Sequence, residues 1–392
     1  MFSDFRLTFR ALAKARGFTF IAILTLGVGI GASTVIFSAL RALVIEPFQY
    51  PKSDQLVHVW SGDRWPFSPA DYFDIREQSS SFTAFGVYQP HTFNVGSENA
   101  QSILGSRTTA DVLRAFGVPP LLGRYFTAED EATGAARVVI LSHALWQQRF
   151  GGDPGVIGRK LWLDGSEAEI VGVMPRTFEF ASPWLRTETC ELWAPLSLEE
   201  TRTMRDSHFL LGLARLRDGV SIATADAEVK TIGKRLSELY PDSNTRKEFL
   251  VRSLHFEMTR DIRGQVWTLF AAVTLMLLVA CGNIASMLLA RGARRQGEFG
   301  VRVALGASPL HLVQLTLSEA LVLAFGGAIV GLALALGGLE IIRAITPISE
   351  ARKAAITLDG MALLFALGAT LVTALLAGLP PRLPHGAPRS RA

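Results

Sequence analysis

The stretch RGARRQGEFGVRVALGAS, Arg291 to Ser308, lies between two long apolar runs and decides how the rest of the chain is read. Four arginines (Arg291, Arg294, Arg295, Arg302) stand there against one acid, Glu298. An excess of basic residues beside an apolar span marks the cytoplasmic side of a membrane. Phe299, Val301, Val303 and Leu305 are set among the charges and glycines, which makes the segment amphipathic. A loop that only joined two spans could be short and polar. This one reads as a surface built to dock with something in the cytosol.

Outward from it, the apolar runs fall into four spans. Residues 1–17 form a basic amphipathic lead-in with Arg6, Arg10, Lys14 and Arg16. The first span covers 18–44, and Phe18 to Leu40 is uncharged over 23 residues. At about 1.5 Å per residue such a helix crosses a hydrocarbon core of about 30 Å. A cleaved leader has an apolar core of only about 7–15 residues. The second span, 264–290, is uncharged from Val266 to Ala290. The cytoplasmic loop 291–308 follows. Ser308-Pro309 then starts a helix, cap and first turn, that runs through 309–345. At about 55 Å it exceeds the bilayer core, so its first turns should protrude into the cytosol, with Glu319 near the inner interface. An outer loop, 346–360, leads to a fourth span, 361–379, and a Pro- and Arg-rich tail, 380–392, reads as disordered and cytoplasmic. Both termini inside satisfies the charge asymmetry at every crossing. Gly27 and Gly31 are four apart, as are Gly327 and Gly331, a spacing that lets membrane helices approach closely. Asn283, the most polar residue of the second span, is expected to make an interhelical hydrogen bond.

Residues 45–263, inserted between the first two spans, form an α+β domain. They carry 24 Lys/Arg against 29 Asp/Glu, whereas the remainder carries 15 against 6. The basic balance therefore belongs to the membrane flanks and not to a surface that grips nucleic acid. Leu56–Trp60 and Arg137–Leu141 read as strands. Lys160–Asp164 and Glu169–Val173 read as a hairpin turning on Asp164-Gly165. Phe209–Leu216 reads as another strand. Ser221 caps a helix that Pro241 stops near Tyr240, with an apolar stripe of Ile222, Ala225, Val229, Ile232, Leu236 and Leu239. The domain is large enough to bury a real core, with room for two lobes.

No motif in the sequence carries chemistry. GxxxxGK[ST], HExxH and GxSxG are absent, and the histidines lack ligand spacing, so no catalytic, cofactor or metal residue is assigned. Cys190 and Cys281 are not expected to pair. Ser142-His143 reads as a cap or surface pair, and Asp71/Asp74 and Glu129/Asp130 as acids on solvated turns.

Four stretches bear a family likeness: GFTFIAILTLGVGIGASTVIFSALRALVIEPFQYP (Gly17–Pro51), LWQQRFGGDPGVIGRKLWLDG (Leu145–Gly165), EIVGVMP (Glu169–Pro175) and ACGNIASMLLARGARRQGEFGVRVALGAS (Ala280–Ser308). The chain resembles the FtsX/MacB-type ABC transporter permeases, and most of all the duplicated permeases of acidobacteria. The resemblance implies that 45–263 is a MacB-like periplasmic core domain. It also implies that Glu298, Gly300, Arg302, Ala304 and Gly306 belong to a segment contacting a separate ATP-binding protein. It further implies an inner-membrane permease that passes ATP-driven motion to the periplasm in export or efflux. Its partners would be a homodimer mate or second permease half and a periplasmic adaptor. Members of the duplicated group carry the four-span unit twice and this chain holds one, with a tail unlike the family's usual continuation. The expectation is a half-length or truncated permease. The alternative is a non-transporting regulator or sensor presenting its domain to a partner. A membrane-anchored enzyme has only the size of the domain in its favour.

Overall fold

The structure is a computed structural model that describes residues 9–10, 12–46, 48, 50–97, 99–185, 189–245, 247–294, 309–345, 353 and 356–378. Two compact units emerge: the membrane helices, and the domain Glu46–Asp261.

In the membrane unit, α1 (Arg16–Leu40) continues through one π-helical turn, Arg41–Ile45. By length and apolar character, four helical stretches could cross a membrane: Arg16–Ile45, Leu254–Arg291, Thr316–Ile345 and Gly360–Gly378. Their shared core is built from regularly spaced small and aliphatic side chains. Ala22, Leu26 and Ile30 of α1 meet Leu277, Cys281, Ile284 and Leu288 of the second span and Ala320 and Leu323 of the third. Each set recurs every three or four residues, the helical period. The other flank of the second span, with Leu275, Met276, Leu278, Val279 and Met287, is exposed. That is the arrangement lipid chains require.

The domain is one ten-stranded mixed sheet with helices packed on it. In chain order its elements are β1 (Leu56–Trp60), α2 (Pro69–Gln78), β2 (Phe82–Val95), β3 (Gln101–Thr108), α3 (Ala110–Phe116), β4 (Leu122–Gly123), β5 (Val138–Leu141), α4 (His143–Phe150), β6 (Lys160–Leu163), β7 (Ser166–Val173), β8 (Leu192–Pro195), β9 (Leu211–Leu216), α5 (Ile222–Leu239), α6 (Pro241–Asn244) and β10 (Leu250–Ser253). The sheet runs β10-β1-β9-β2-β3-β8-β5-β7-β4, and β6 pairs with β2 and β7. No division into two lobes interrupts this sheet, and β2 runs through it. Its first half pairs with β9, its second with β3, and its last residue, Val95, with Leu163 of β6. All five positions of β1 are buried, since Leu56 and Trp60 face one apolar cluster and Val57 and Val59 another. Burial pushes the imidazole of His58, stacked on Trp60, down to about 3, so it is neutral at physiological pH.

Local sequence rules account for several elements. β6 and β7 form a hairpin whose turn residues Asp164 (φ 47°) and Gly165 (φ 80°) both take the left-handed conformation that two-residue hairpins need. The Ser221 hydroxyl accepts from the Thr224 amide and starts α5, as Ser142 does for α4 through Leu145. Three expectations fail. Leu239 is 65% exposed, and the buried stripe of α5 takes in Gly233 instead, whose missing side chain makes room for the Phe249 ring. Asp71 does not lie on a solvated turn. It is fully buried in the first turn of α2, where Oδ1 accepts from Asn244 Nδ2 (2.8 Å) and Arg205 Nη1 (3.1 Å) and Oδ2 from Lys247 Nζ (2.7 Å). Arg205 also reaches Asp74 and lies 3.5 Å from the centre of the Tyr240 ring. Asp130 likewise is spoken for, bound by both terminal nitrogens of Arg124. Only Glu129 of that pair is exposed.

Removing one member of a buried ion pair strands the others without water. Asp71→Asn should therefore cost about 3 kcal/mol, read as a lower urea midpoint of the domain's tryptophan fluorescence in the full-length protein. Asp218→Asn, which breaks the exposed Lys52–Asp218 pair, should leave that midpoint unchanged.

Candidate functional site

The proposed coupling residues Glu298, Gly300, Arg302, Ala304 and Gly306 lie outside the described residues. The described chain reaches that segment from one side. Helix α7 (Leu254–Arg294) carries the second span onward into the basic stretch, and Arg291 places its guanidinium 4.5 Å from the centre of the Phe18 ring. On the far side α8 (Pro309–Ile345) begins at the proline.

The four glycines come together. A β-carbon on Gly31 would sit 2.6 Å from the Gly331 carbonyl oxygen, and one on Gly331 would sit 2.8 Å from the Gly27 carbonyl oxygen. Gly27 likewise faces Gly327 and Val330, and Gly327 faces Leu26. The first and third spans therefore touch backbone to backbone, and a side chain at Gly31 or Gly331 would have to displace main chain. Asn283 is placed differently: it is exposed on the outer flank of α7, so it is not positioned inside this four-helix core.

The outer ends of the spans are tied by charge. Arg41 pairs with Asp359, which also accepts from the Ala362 amide at the start of α9 (Gly360–Gly378). Arg343, near the end of α8, donates through Nε and Nη2 to the Ile356 carbonyl at 3.0 and 2.6 Å.

Sequence reading missed a clamp at the base of the domain, where α7 starts. Glu257, with a fully buried side chain, accepts from Arg64 Nε at 2.8 Å, and Arg64 Nη2 donates to the Glu257 backbone carbonyl at 2.9 Å. Arg64 Nη1 reaches Asp261 at 2.9 Å. Asp63 takes Arg260 at 2.9 and 3.2 Å and also binds Arg252. The two guanidinium groups, Arg260 foremost, hold the Asp63 carboxyl well below the usual carboxylate range. Arg64 sits at φ 60°, left-handed and uncommon for a side-chain-bearing residue. The loop after β1 is thus held in one shape, with two turns of α7 fastened to it. The acids and arginines lie about 190 residues apart in sequence, so only the charged run Glu257–Arg263 ahead of an apolar span hinted at a role. Among the described residues there is no group of three His, Cys, Asp or Glu side chains able to hold a metal ion.

Comparison with known proteins accords with this layout. Residues 19–232, more than half the chain, match the MacB-like periplasmic core domain, and residues 270–384 match the FtsX-like permease C-terminal domain. The chain belongs to the MacB/FtsX-type permease family. It is a multi-pass inner-membrane protein whose inserted domain is periplasmic. Among its relatives is the macrolide export ATP-binding/permease protein MacB of Wolinella succinogenes, 25% identical over 371 residues, covering 92% of this chain and 54% of that protein. Another is the MacB protein of Burkholderia thailandensis, 26% identical over 211 residues, covering 53% of this chain and 31% of that one. The chain thus spans about half or less of the length of these curated relatives. The periplasmic region of MacB from Actinobacillus actinomycetemcomitans aligns over 59% of this chain and 97% of that one, at 13% identity and a TM-score of 0.39.

Two measurements test these contacts. Gly31→Val should lower the thermal stability of the membrane unit by roughly 1–3 kcal/mol or more, the range for an overpacked core. Gly282→Ala, which meets nothing within 4 Å, should not. Asp63 has a lowered folded value, so its contribution is present above its ordinary carboxylate value of 3.8 and is lost only as pH falls towards the folded one. Amide exchange over residues 254–261, corrected for intrinsic rate, should then stay constant between about pH 8 and pH 5. Asp63→Asn should raise it throughout that range.

Proposed function

We propose that this chain is the permease subunit of an ABC-type exporter, driven by a separate cytoplasmic ATP-binding protein that docks on residues 298–307. The observation that carries the reading is the order of parts: a periplasmic core domain match followed by an FtsX-like permease match, laid over four apolar helices. The relatives' names join an ATP-binding part to a permease, and this chain carries no phosphate-loop motif. The mode of action is mechanotransmission. Helix α7 supplies Leu254–Asp261 to the domain and goes on as the second span. A push at its cytoplasmic end has a covalent path to the clamp. The working unit is a pair of permease units, either two copies of this chain or one copy with a second half of the acidobacterial duplicated type, together with a periplasmic adaptor. A regulator or sensor that does not transport would use the same topology, but no observation favours it.

Co-purification with a cognate ATP-binding protein tests the reading. Wild type should retain that protein, and a Glu298→Lys/Arg302→Glu variant should lose it. Equal retention by both would overturn the docking site. Replacement of residues 298–307 by a glycine–serine linker should abolish complementation of a deletion strain, whereas a sensor would keep it.

A further inference from the structure

Helix α7 carries a polar side chain, Asn283, whose needs the chain itself does not meet. Asn283 lies about 12 Å along the helix from Arg291, the first charge after the uncharged run, and so within a hydrocarbon core of about 30 Å. Its side chain is exposed on the outer flank and makes no hydrogen bond among the described residues. Nearby hydroxyls are satisfied inside their own helices. Ser286 donates to the Gly282 carbonyl at 2.9 Å, and Thr274 donates to the Phe270 carbonyl at 2.8 Å. A carboxamide brings two donors and an acceptor, and acyl chains offer partners for none of them.

The residues around Asn283 are spaced for another helix. Ala272, Met276, Val279, Asn283, Ser286 and Ala290 are all exposed, and they recur at alternating steps of four and three. That alternation keeps one seam against a neighbouring helix along the whole span and is the period of left-handed helix pairs. Ala272, Ser286 and Ala290 are small enough for close approach, and Met276 and Val279 add apolar contact. The buried stripe of the same helix, with Leu277, Cys281, Ile284 and Leu288, is a separate face, so the seam is not used by the bundle. A helix seated on it must present a polar group at the depth of Asn283. Copies of one chain enter the membrane in one orientation, so a two-fold axis along the membrane normal sets each residue opposite itself. Asn283 then meets Asn283. Each carboxamide donates to the other and accepts from it, and both are satisfied.

We propose that two copies of this chain pair in register through this seam of α7, with Asn283 hydrogen-bonded to its counterpart at the two-fold axis. The proposal rests on the reading that the working unit is a pair of permease units, and it names the surface that makes the pair. It also chooses between the two pairs that reading allows, because two identical chains bring matched amides to one depth. It can fail alone: pairing through another helix would leave the permease reading and its docking segment 298–307 standing.

Cysteine cross-linking of the full-length protein in proteoliposomes tests the geometry. Val279→Cys and Ser286→Cys should each give a disulfide-linked dimer on oxidation. Leu278→Cys and Leu289→Cys, exposed but off the seam, should stay at the level of the parent chain, whose own two cysteines are buried. Energy transfer between donor- and acceptor-labelled copies, followed against the protein-to-lipid ratio, tests the amide. Asn283→Leu should weaken dimerisation about ten-fold, the scale of an interhelical hydrogen bond in lipid. Asn283→Gln, which keeps the carboxamide, should retain most of the affinity. Neither substitution touches the buried stripe, so circular dichroism melts should match wild type. Equal cross-linking on and off the seam, wild-type copies that stay monomeric, or an Asn283→Leu variant that pairs as tightly as wild type would each overturn the proposal. Retention of the ATP-binding protein by wild type and its loss from the Glu298→Lys/Arg302→Glu variant report on the permease reading separately.

Discussion

The membrane unit rests on the absence of side chains at four positions. Gly27 and Gly31 on one helix and Gly327 and Gly331 on another let two main chains come within contact of each other. In lipid there is no hydrophobic force to drive apolar helices together, so close van der Waals approach has to do it. One buried hydroxyl of α1 is satisfied within its own helix: Thr34 donates to the Ile30 carbonyl, so it enters the packed interior paired. With the first and third spans joined in this way, the second span adds only one narrow stripe, and most of its surface is left for lipid or for another protein.

The periplasmic domain solves a different problem with different means. Its sheet is too wide for one apolar face, and three separate clusters cover it. Where loops must be held against that sheet, the fold uses buried acids. Asp71 gathers α6 and the segment before β9, and Glu257 gathers the loop after β1. Both acids are at the first turn of a helix, where the amide dipoles favour negative charge.

Much of this was readable from the sequence, and what was not has a physical reason. The spans were plain because a long run without a single charge is rare outside a membrane. The hairpin at Asp164-Gly165 and the cap at Ser221 were plain because both are local rules complete within four residues. By contrast β2, the strand that unites the sheet, carries Gly86, Gln89, Pro90 and His91 and shows no alternation. Its neighbours change along its length, so no single face is buried throughout. Asp71 looked solvated because its partners, Arg205, Asn244 and Lys247, lie more than 130 residues away. Arg64 and Glu257 are separated in the same way. Long-range charge pairing leaves no periodic trace in a sequence, so these clusters had no local signal to betray them. The proposed coupling residues between 298 and 306 were assigned by resemblance, within a stretch whose charge and amphipathic pattern already read as a docking surface, and they lie outside the described residues.

The polar rim at the outer ends of the spans acts as a depth gauge. Arg41 and Arg343 are each satisfied at that level by partners on the connection leading into α9. Sinking the bundle by a helical turn would drag both guanidinium groups into hydrocarbon, at about 2.5–3.5 kcal/mol apiece. A piston stroke along the membrane normal is thereby penalised.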